Sequence, residues 1–205
     1  MNCIIVGAWN TAILNPNWIA KEILILGEGE QISVEYSADI PIRFRIKIKD
    51  LYFIPNNDRL IINPSVLDNK LFELVNQSSL ELYNKLPYTP ITAIGHNFVY
   101  ELDDDENFYP QIDFSVAKNR ELYKTFHASP GSQSILRHSL LLEQDKFVIL
   151  NLAFKQENGR KILDMNYHYQ VDEDPNKIRH SLSRFFDNFN NSEFTKSQLI
   201  KKGGK

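Results

Sequence analysis

Residues 41 to 49 read Pro-Ile-Arg-Phe-Arg-Ile-Lys-Ile-Lys, a strict alternation of apolar and basic side chains. Successive side chains of a β-strand point to opposite faces, so this period predicts a strand with one buried and one exposed face. The apolar residues are Ile42, Phe44, Ile46 and Ile48, and the cations are Arg43, Arg45, Lys47 and Lys49. We therefore expect a half-buried strand that presents a row of positive charge.

Further segments carry strand patterns, either alternating or bounded by turn residues. They are residues 3–9, 31–36, 51–54, 59–62, 91–102, 135–142, 147–154 and 161–171. Turn-forming residues at 55–58 and 157–160 separate two pairs of these segments, as expected for hairpins. Residues 91–102 carry apolar side chains at both odd and even positions, which predicts a strand buried on both faces. Because the strands do not alternate regularly with helices, mostly antiparallel pairing is expected.

Capping residues and apolar periodicity predict the helices. Asn15-Pro16 and Asp174-Pro175 each place a capping side chain before a proline, which suits the first turn of a helix. One long amphipathic helix is predicted from Ser65 to about Leu86, and a second after Pro175. The second carries an apolar stripe and ends at Asn190-Asn191, and its stripe consists of Ile178, Leu182, Phe185, Phe186 and Phe189. Short helices are predicted before Gly27 and at 192–200.

These patterns predict an α+β fold with a mostly antiparallel sheet, or sheets, against which the two long helices and one or two short ones pack. A chain of 205 residues with 42% hydrophobic and 24% charged residues has the composition of an ordered globular protein. We expect one compact domain at 1–200 and a flexible tail at 201–205. Strands precede a long helix twice, so two similar halves at 1–102 and 132–200 are an alternative division, joined by an irregular segment at 103–131.

Charge and cysteine usage narrow the class of protein. With 23 basic and 26 acidic residues the net charge is −3, which argues against coating nucleic acid or an anionic membrane with the whole surface. Cys3 is the single cysteine, so an internal disulfide and a cysteine-rich zinc site are excluded, and its apolar neighbours predict burial. We find neither a signal-like N terminus nor an apolar run approaching the roughly 20 residues that span a bilayer, so a cytoplasmic setting is expected. Abundant Asn, Ile and Lys are typical of an AT-rich bacterial or phage genome.

The first candidate site is the basic row Arg43, Arg45, Lys47 and Lys49. Side chains two residues apart on a strand are separated by about 7 Å, close to the phosphate repeat of a nucleic acid strand. No aromatic residue shares the predicted face for base stacking. The row is therefore a candidate contact for an acidic protein surface. The alternative is a solvated face that protects a sheet edge from unwanted pairing.

The second candidate is the polar face of residues 161–171, which carries Asp164, Asn166, His168 and Gln170. Asp164 and His168 are weak catalytic candidates, because a metal site or general base needs a second strand that brings His138 or another carboxylate alongside. Simple exposure explains the row equally well. His96, in the strand predicted to be buried, is interpreted as a hydrogen-bonded core residue. No cofactor and no metal site are predicted.

The leading hypothesis is a non-enzymatic cytoplasmic protein of bacterial or phage origin that binds another protein or assembles through exposed sheet surface. Homo-oligomers would cover the strand edges. The alternative is a metal-dependent or acid–base hydrolase centred on Asp164 and His168. A third reading is a nucleic-acid-binding module that uses the basic row, which the slightly acidic charge balance disfavours. No membrane association is expected.

Overall fold

The computed structural model describes residues 1–27, 31–36, 44–108, 133–142, 147–157 and 159–202. The described strands are β1 Asn2–Gly7, β2 Ser33–Tyr36, β3 Phe44–Ile48, β4 Leu51–Pro55, β5 Arg59–Pro64, β6 Ile91–Glu101, β7 Glu106–Phe108, β8 Gln133–Leu141, β9 Val148–Glu157, β10 Arg160–Gln170 and β11 Ile200–Lys202. Helix α1 begins as the turn Pro16–Trp18 and continues as the π-helical turn Ile19–Ile23. The other helices are α2 Asn69–Lys85, α3 Pro175–Leu182 and α4 Phe185–Leu199. The expected mixed fold with antiparallel pairing is confirmed.

Nine of the described strands form one continuous sheet in the order β2-β3-β4-β5-β1-β6-β10-β9-β8. The central pair β1 and β6 is antiparallel, with Cys3 opposite His96 and Ile5 opposite Ile94. Read outward from this pair, each side has the same order: β5, β4, β3 follow β1, and β10, β9, β8 follow β6. A helix follows each set of strands along the chain, α2 after β5 and α3 after β10. The strand order is thus repeated once, first over β1 to α2 and again over β6 to α4.

The helices pack on one face of the sheet, and aromatic rings fill the space between. Phe98 of β6 lies 5.3 Å from the ring of Phe185 on α4. Phe72 of α2 lies 6.0 Å from Phe185 and 4.2 Å from Phe189. Phe72, Phe98 and Phe185 are all buried, and burying such a side chain stabilises the folded state by roughly 1.5–3 kcal/mol. This aromatic cluster joins α2 and α4 to the centre of the sheet.

Polar side chains cap each of the helices described. Asn15 Oδ1 accepts from Trp18 N at 3.0 Å, and Asp174 Oδ1 accepts from Asn176 N at 2.9 Å, as the cap-plus-proline pattern predicts. Asp68 rather than Ser65 caps α2, accepting from Lys70 N at 2.7 Å. The cap of α4 comes from another helix, because Asn76 Oδ1 on α2 accepts from Phe185 N at 2.9 Å. This last bond fixes the start of α4 against α2.

The prediction of two long amphipathic helices is not well supported. Only α2 resembles it. The second helix is broken, because Arg184 has φ −102° and ψ 2°, outside helical geometry, so α3 ends at Leu182 and α4 begins at Phe185. Helix α4 then runs past Asn190-Asn191, so the short helix predicted at 192–200 is its second half. Its buried residues include Asn188 and Ser192 beside Phe185, so the buried side is not an apolar stripe.

The C-terminal tail and the strands β3 and β6 can also be compared with the sequence-based predictions. Residues 201 and 202, expected in a flexible tail, belong to β11, which pairs with β7 and places residue 201 opposite Asn107, whereas residues 203–205 lie outside the described residues. The strand predicted from the basic alternation is β3, with Ile46 and Ile48 buried. Residues 41–43, and with them Arg43, lie outside the described residues. In β6 the helix-side residues Ile94, His96 and Phe98 are buried, whereas Val99 on the other side is half exposed, so its burial on both faces is only partial.

Gly7 sits where β1 passes close to the chain entering β6. A Cβ on Gly7 would lie 2.5 Å from the Pro90 carbonyl oxygen, and the neighbouring Ala8 N donates to that oxygen at 3.1 Å. Gly7→Ala is therefore expected to lower the free energy of unfolding by about 1–3 kcal/mol, because backbone must move to admit the methyl group. Urea denaturation measures this change. Gly27→Ala is the matched control, since a Cβ there meets nothing within 4 Å; equal destabilisation by the two variants would contradict the close approach.

Candidate functional site

The face of the sheet opposite the helices is called the open face here, because no described helix packs on it. In β1, β6, β9 and β10 the alternate residues lie in the helix-side core, which assigns the others to the open face, and the register with β9 assigns the side chains of β8. In the five strands that follow, it includes Asn2, Ile4 and Val6 of β1; Ala93, Gly95, Asn97 and Val99 of β6; Asp164, Asn166, His168 and Gln170 of β10; Ile149, Asn151, Ala153 and Lys155 of β9; and Arg137, Ser139 and Leu141 of β8. It contains the polar row predicted on residues 161–171.

A chain of side-chain hydrogen bonds crosses the open face over five strands. Ser139 Oγ donates to Asn151 Oδ1 at 2.6 Å, Asn151 Nδ2 to Asn166 Oδ1 at 3.1 Å, Asn166 Nδ2 to Asn97 Oδ1 at 2.7 Å, and Asn97 Nδ2 to Asn2 Oδ1 at 2.8 Å. We call these five residues the amide ladder. Each bonded pair is also a register pair of the sheet, so a shift of any strand by one residue would break the ladder.

Gly95 makes room for the amide ladder. A Cβ at Gly95 would lie 3.2 Å from Asn166 Nδ2 and 3.9 Å from Asn97 Nδ2, so a side chain there would press on the central amides. Each bond of this kind contributes roughly 0.5–1.5 kcal/mol, and bonds in a chain polarise one another. The ladder holds the amides in one orientation, each with further hydrogen-bonding capacity, since an amide has two donor hydrogens and an oxygen with two lone pairs.

The structure does not bring the three catalytic candidates together. Asp164 Oδ2 is 2.6 Å from Lys155 Nζ, so this carboxylate is already paired. His168 is four positions along the same strand, roughly 13 Å away. His138 borders the same shallow depression as Asp164, of about 200 Å³, but its ring packs edge-on against Phe154 at 6.1 Å, and Phe154 belongs to the helix-side core. Among the described residues, no group of three His, Cys, Asp or Glu side chains has the arrangement to hold a metal ion.

Two cations of the basic row, Arg45 and Lys47, are paired with acidic residues nearby. Arg45 Nε lies 2.6 Å from Glu35 Oε2, and Lys47 Nζ lies 3.2 Å from Asp50 Oδ1. Tyr52 on β4 lies beneath both, with its ring centre 5.1 Å from the Arg45 guanidinium carbon and 5.7 Å from Lys47 Nζ. Lys49 is in the turn to β4, at φ 49°. The row is therefore a mixed patch of charge and aromatic surface, not a bare track of positive charge.

Apolar side chains flank the amide ladder on the open face. Val99 is 49% exposed, Ile149 37% and Leu141 63%. The latter two are register partners on β9 and β8, so they form a continuous apolar patch toward one end of the ladder. Among the described strands β8 is the last of the main sheet, and Ile135 and Leu140 on it are also exposed. Exposed apolar groups that are contiguous with ordered polar groups are typical of an interaction surface.

A buried polar cluster lies on the helix side of β6 and β10. Asn188 Nδ2 on α4 donates to the Tyr169 hydroxyl at 2.5 Å and is 2.9 Å from His96 Nδ1. Burial lowers the pKa of His96 to about 3, so the ring is neutral at pH 7. Because an amide nitrogen only donates, Nδ1 is the acceptor and Nε2 carries the proton. His96 is thus a hydrogen-bonded core residue, as interpreted from the sequence.

Cys3 is fully buried beside this cluster in the central strand pair. Burial raises the pKa of its thiol to about 12. The reactive thiolate is therefore suppressed at neutral pH. Cys3 is a core residue, as the apolar run around it predicts.

Sequence patterns missed several residues of these sites. Asn2, Asn97 and Asn151 join Asn166 only through strand pairing, which no local pattern specifies. One signal was available in the sequence. Asn is depleted in strands, yet three of the predicted strands, 91–102, 147–154 and 161–171, each contain one. No local pattern distinguishes Asn188 from the other polar residues of its helix.

His96 gives the folded protein a specific pH dependence. Its pKa is about 3 when folded and about 6.5 in an unfolded chain, so the unfolded state binds more protons between these values. The neutral His96 therefore adds its full contribution to the free energy of unfolding above about pH 6.5. Below that pH this contribution falls by up to about 1.4 kcal/mol per pH unit. Urea denaturation from pH 7.5 to 4.5 should show a smaller loss of stability for His96→Gln than for wild type. The control His168→Gln retains His96 and should keep the full slope; an unchanged slope in His96→Gln would contradict the account.

Comparisons with known proteins give no family. No protein-family model matches the chain, and no curated protein is significantly similar to it. Within the part of the chain that the structure describes, no helix has both the length and the apolar character to cross a membrane. The function is therefore inferred from the contacts and exposures of the chain's own residues.

Proposed function

We propose that this protein acts by binding another protein on the open face of its sheet, without catalysing a reaction. The observation that carries the proposal is the composition of that face: an ordered amide ladder beside the half-exposed side chains of Val99, Ile149 and Leu141. Protein interfaces combine apolar contact with directional polar groups in this way. The ladder orders its side chains before binding, so little rotamer entropy is lost when a partner arrives.

The charges of the open face favour a protein partner over nucleic acid. Arg45 and Lys47 are paired with Glu35 and Asp50, and Lys155 is paired with Asp164. Binding to nucleic acid phosphates needs unpaired protein cations, which displace the counterions of the nucleic acid. Cations that are already paired with carboxylates contribute little to this exchange. The basic row is therefore proposed as a polar margin of the interface that contacts an acidic or neutral surface, with Arg45, Lys47 and Lys49 as its described members. The cytoplasmic setting and the bacterial or phage origin belong to the same proposal.

Strand β8 is proposed as the edge at which the protein assembles or receives a strand. Its exposed residues Ile135, Leu140 and Leu141 make it more apolar than a typical protected edge. Arg137 near its centre would face its own copy if two β8 strands paired about that residue, and like charges placed opposite destabilise a sheet. A partner strand with a neutral or acidic side chain at this position is therefore favoured over self-pairing centred on Arg137.

The hydrolase alternative predicts convergence of Asp164, His168 and His138, and their positions do not support it. The carboxylate of Asp164 already has a cation partner, and the His138 ring contacts the helix-side core. Activation of water would require these groups within hydrogen-bond reach of one site. Binding through the open face is therefore the function that the geometry supports best.

The proposal is tested by a double variant, Val99→Lys with Ile149→Lys. Both side chains are exposed on strands, so folding should survive, but burying two ammonium groups should weaken partner recovery at least about tenfold. Quantitative mass spectrometry of material isolated from the protein's own cells measures recovery, and metal content is measured on the same sample. The control is Val66→Lys with Leu67→Lys, two exposed residues outside the open face. Equal recovery by both variants would remove the open face from the mechanism, and stoichiometric metal without a partner would favour the hydrolase.

A further inference from the structure

A separate pocket lies on the helix side, between α4 and the strands β9 and β10. Its volume is about 380 Å³, within the range of small-molecule sites. An apolar wall is formed by Leu142, Val148 and Leu150. The strand β10 contributes Tyr167 and Tyr169. The remaining lining residues come from the start and body of α4 and are Arg184, Asn188, Asn191, Phe194 and Thr195. It lies on the opposite side of the sheet from the open face, so it is independent of the proposed function.

The helix presents a polar stripe to this pocket. Arg184, Asn188, Asn191 and Thr195 follow one another at spacings of four, three and four residues, which places them on one side of a helix. A helix that only packed on Val148 and Leu150 would carry apolar residues at these positions. The pocket therefore has polar groups on one side and apolar or aromatic surface on the other.

Asn188 is held so that its oxygen is available. Its Nδ2 donates to Tyr169 and to His96, which uses both amide hydrogens. Within the described residues its Oδ1 accepts no hydrogen bond, so this fixed amide offers an acceptor in the pocket wall. Asn188 is 3% exposed and its two partners are buried, so the amide is rigidly placed.

Arg184 supplies donors beside this acceptor. Its Nη1 lies 2.9 Å from Asp187 Oδ2, which balances the guanidinium charge. Its buried Nε has no hydrogen-bond partner in the described part of the chain. At the other end of the stripe, burial raises the pKa of the Tyr167 phenol to about 12, so this group stays neutral. An acceptor and a donor thus lie one helical turn apart, with no net charge.

We propose that this pocket binds a small planar aromatic compound with a carboxamide, or an equivalent donor–acceptor edge, whose N–H bonds to Asn188 Oδ1 and whose oxygen accepts from the Arg184 guanidinium. The ring lies against Val148, Leu150 and Tyr167. A carboxylate fits less well, because it has no hydrogen for Asn188 Oδ1 and Asp187 already balances Arg184. A hydrocarbon would leave both polar groups without partners.

Benzamide is the probe, with benzoate and toluene as analogues that lack the donor or the whole edge. Titration of the isotope-labelled full chain by ¹H–¹⁵N NMR should give a Kd of about 1 mM for benzamide, as expected for a fragment of this size. Benzoate and toluene should bind at least about tenfold more weakly. Nuclear Overhauser contacts should join the benzamide ring to the methyl groups of Val148 and Leu150.

The variant Arg184→Met keeps much of the side-chain volume but removes the donors, so it should weaken benzamide at least about tenfold. Arg160→Met is the matched control, because Arg160 is exposed at the end of β10 outside the pocket lining; it should leave the affinity unchanged. The proposal is overturned if benzamide does not bind, if its contacts map elsewhere, if benzoate or toluene binds as tightly, or if Arg184→Met binds like wild type.

Discussion

The antiparallel pairing of β1 with β6 is the contact on which the rest of the structure depends. It joins strands about 90 residues apart, and it sets Cys3 opposite His96 and Asn2 opposite Asn97. The close approach of Gly7 to Pro90 closes one end of this pair. On each side the remaining strands add outward in the same order, so the position of every outer strand follows from this central register. Such non-local pairing has a high loop-closure cost, which only the complete core offsets.

The same register produces two unlike faces. On the helix side, β6 places His96 and Phe98 beneath α4, where Asn188 and Phe185 contact them. On the open face, the alternate residues Gly95 and Asn97 give space and bonds to the amide ladder. A slip of one residue would exchange the two sets, burying amides under the helices and exposing the phenylalanines. The register of the central strands therefore determines both which side chains form the core and how the side chains of the open face are ordered.

Local patterns predicted most of the elements, because alternation, turns and caps act over a few residues. The strand from 91, the hairpin around Gly159, and the caps at Asn15 and Asp174 all follow from neighbours in sequence. The break before Phe185 did not, since it depends on Asn76 of α2 capping a new helix. The placement of His138 and Asp164 on opposite faces of the sheet could not be predicted from neighbouring residues either, because it depends on the register of β8, β9 and β10. The amide ladder is non-local throughout, so sequence reasoning found Asn166 and missed its partners.

The face used for binding is tested most directly by hydroxyl-radical footprinting of the native complex against the isolated chain. Side-chain oxidation reports exposure residue by residue, so it distinguishes the two faces of one strand. The account predicts protection of Val99, Leu141, Ile149 and His168, with unchanged reactivity at the exposed Tyr88 and Leu67. Protection of Tyr88 and Leu67 with an unprotected open face would contradict it.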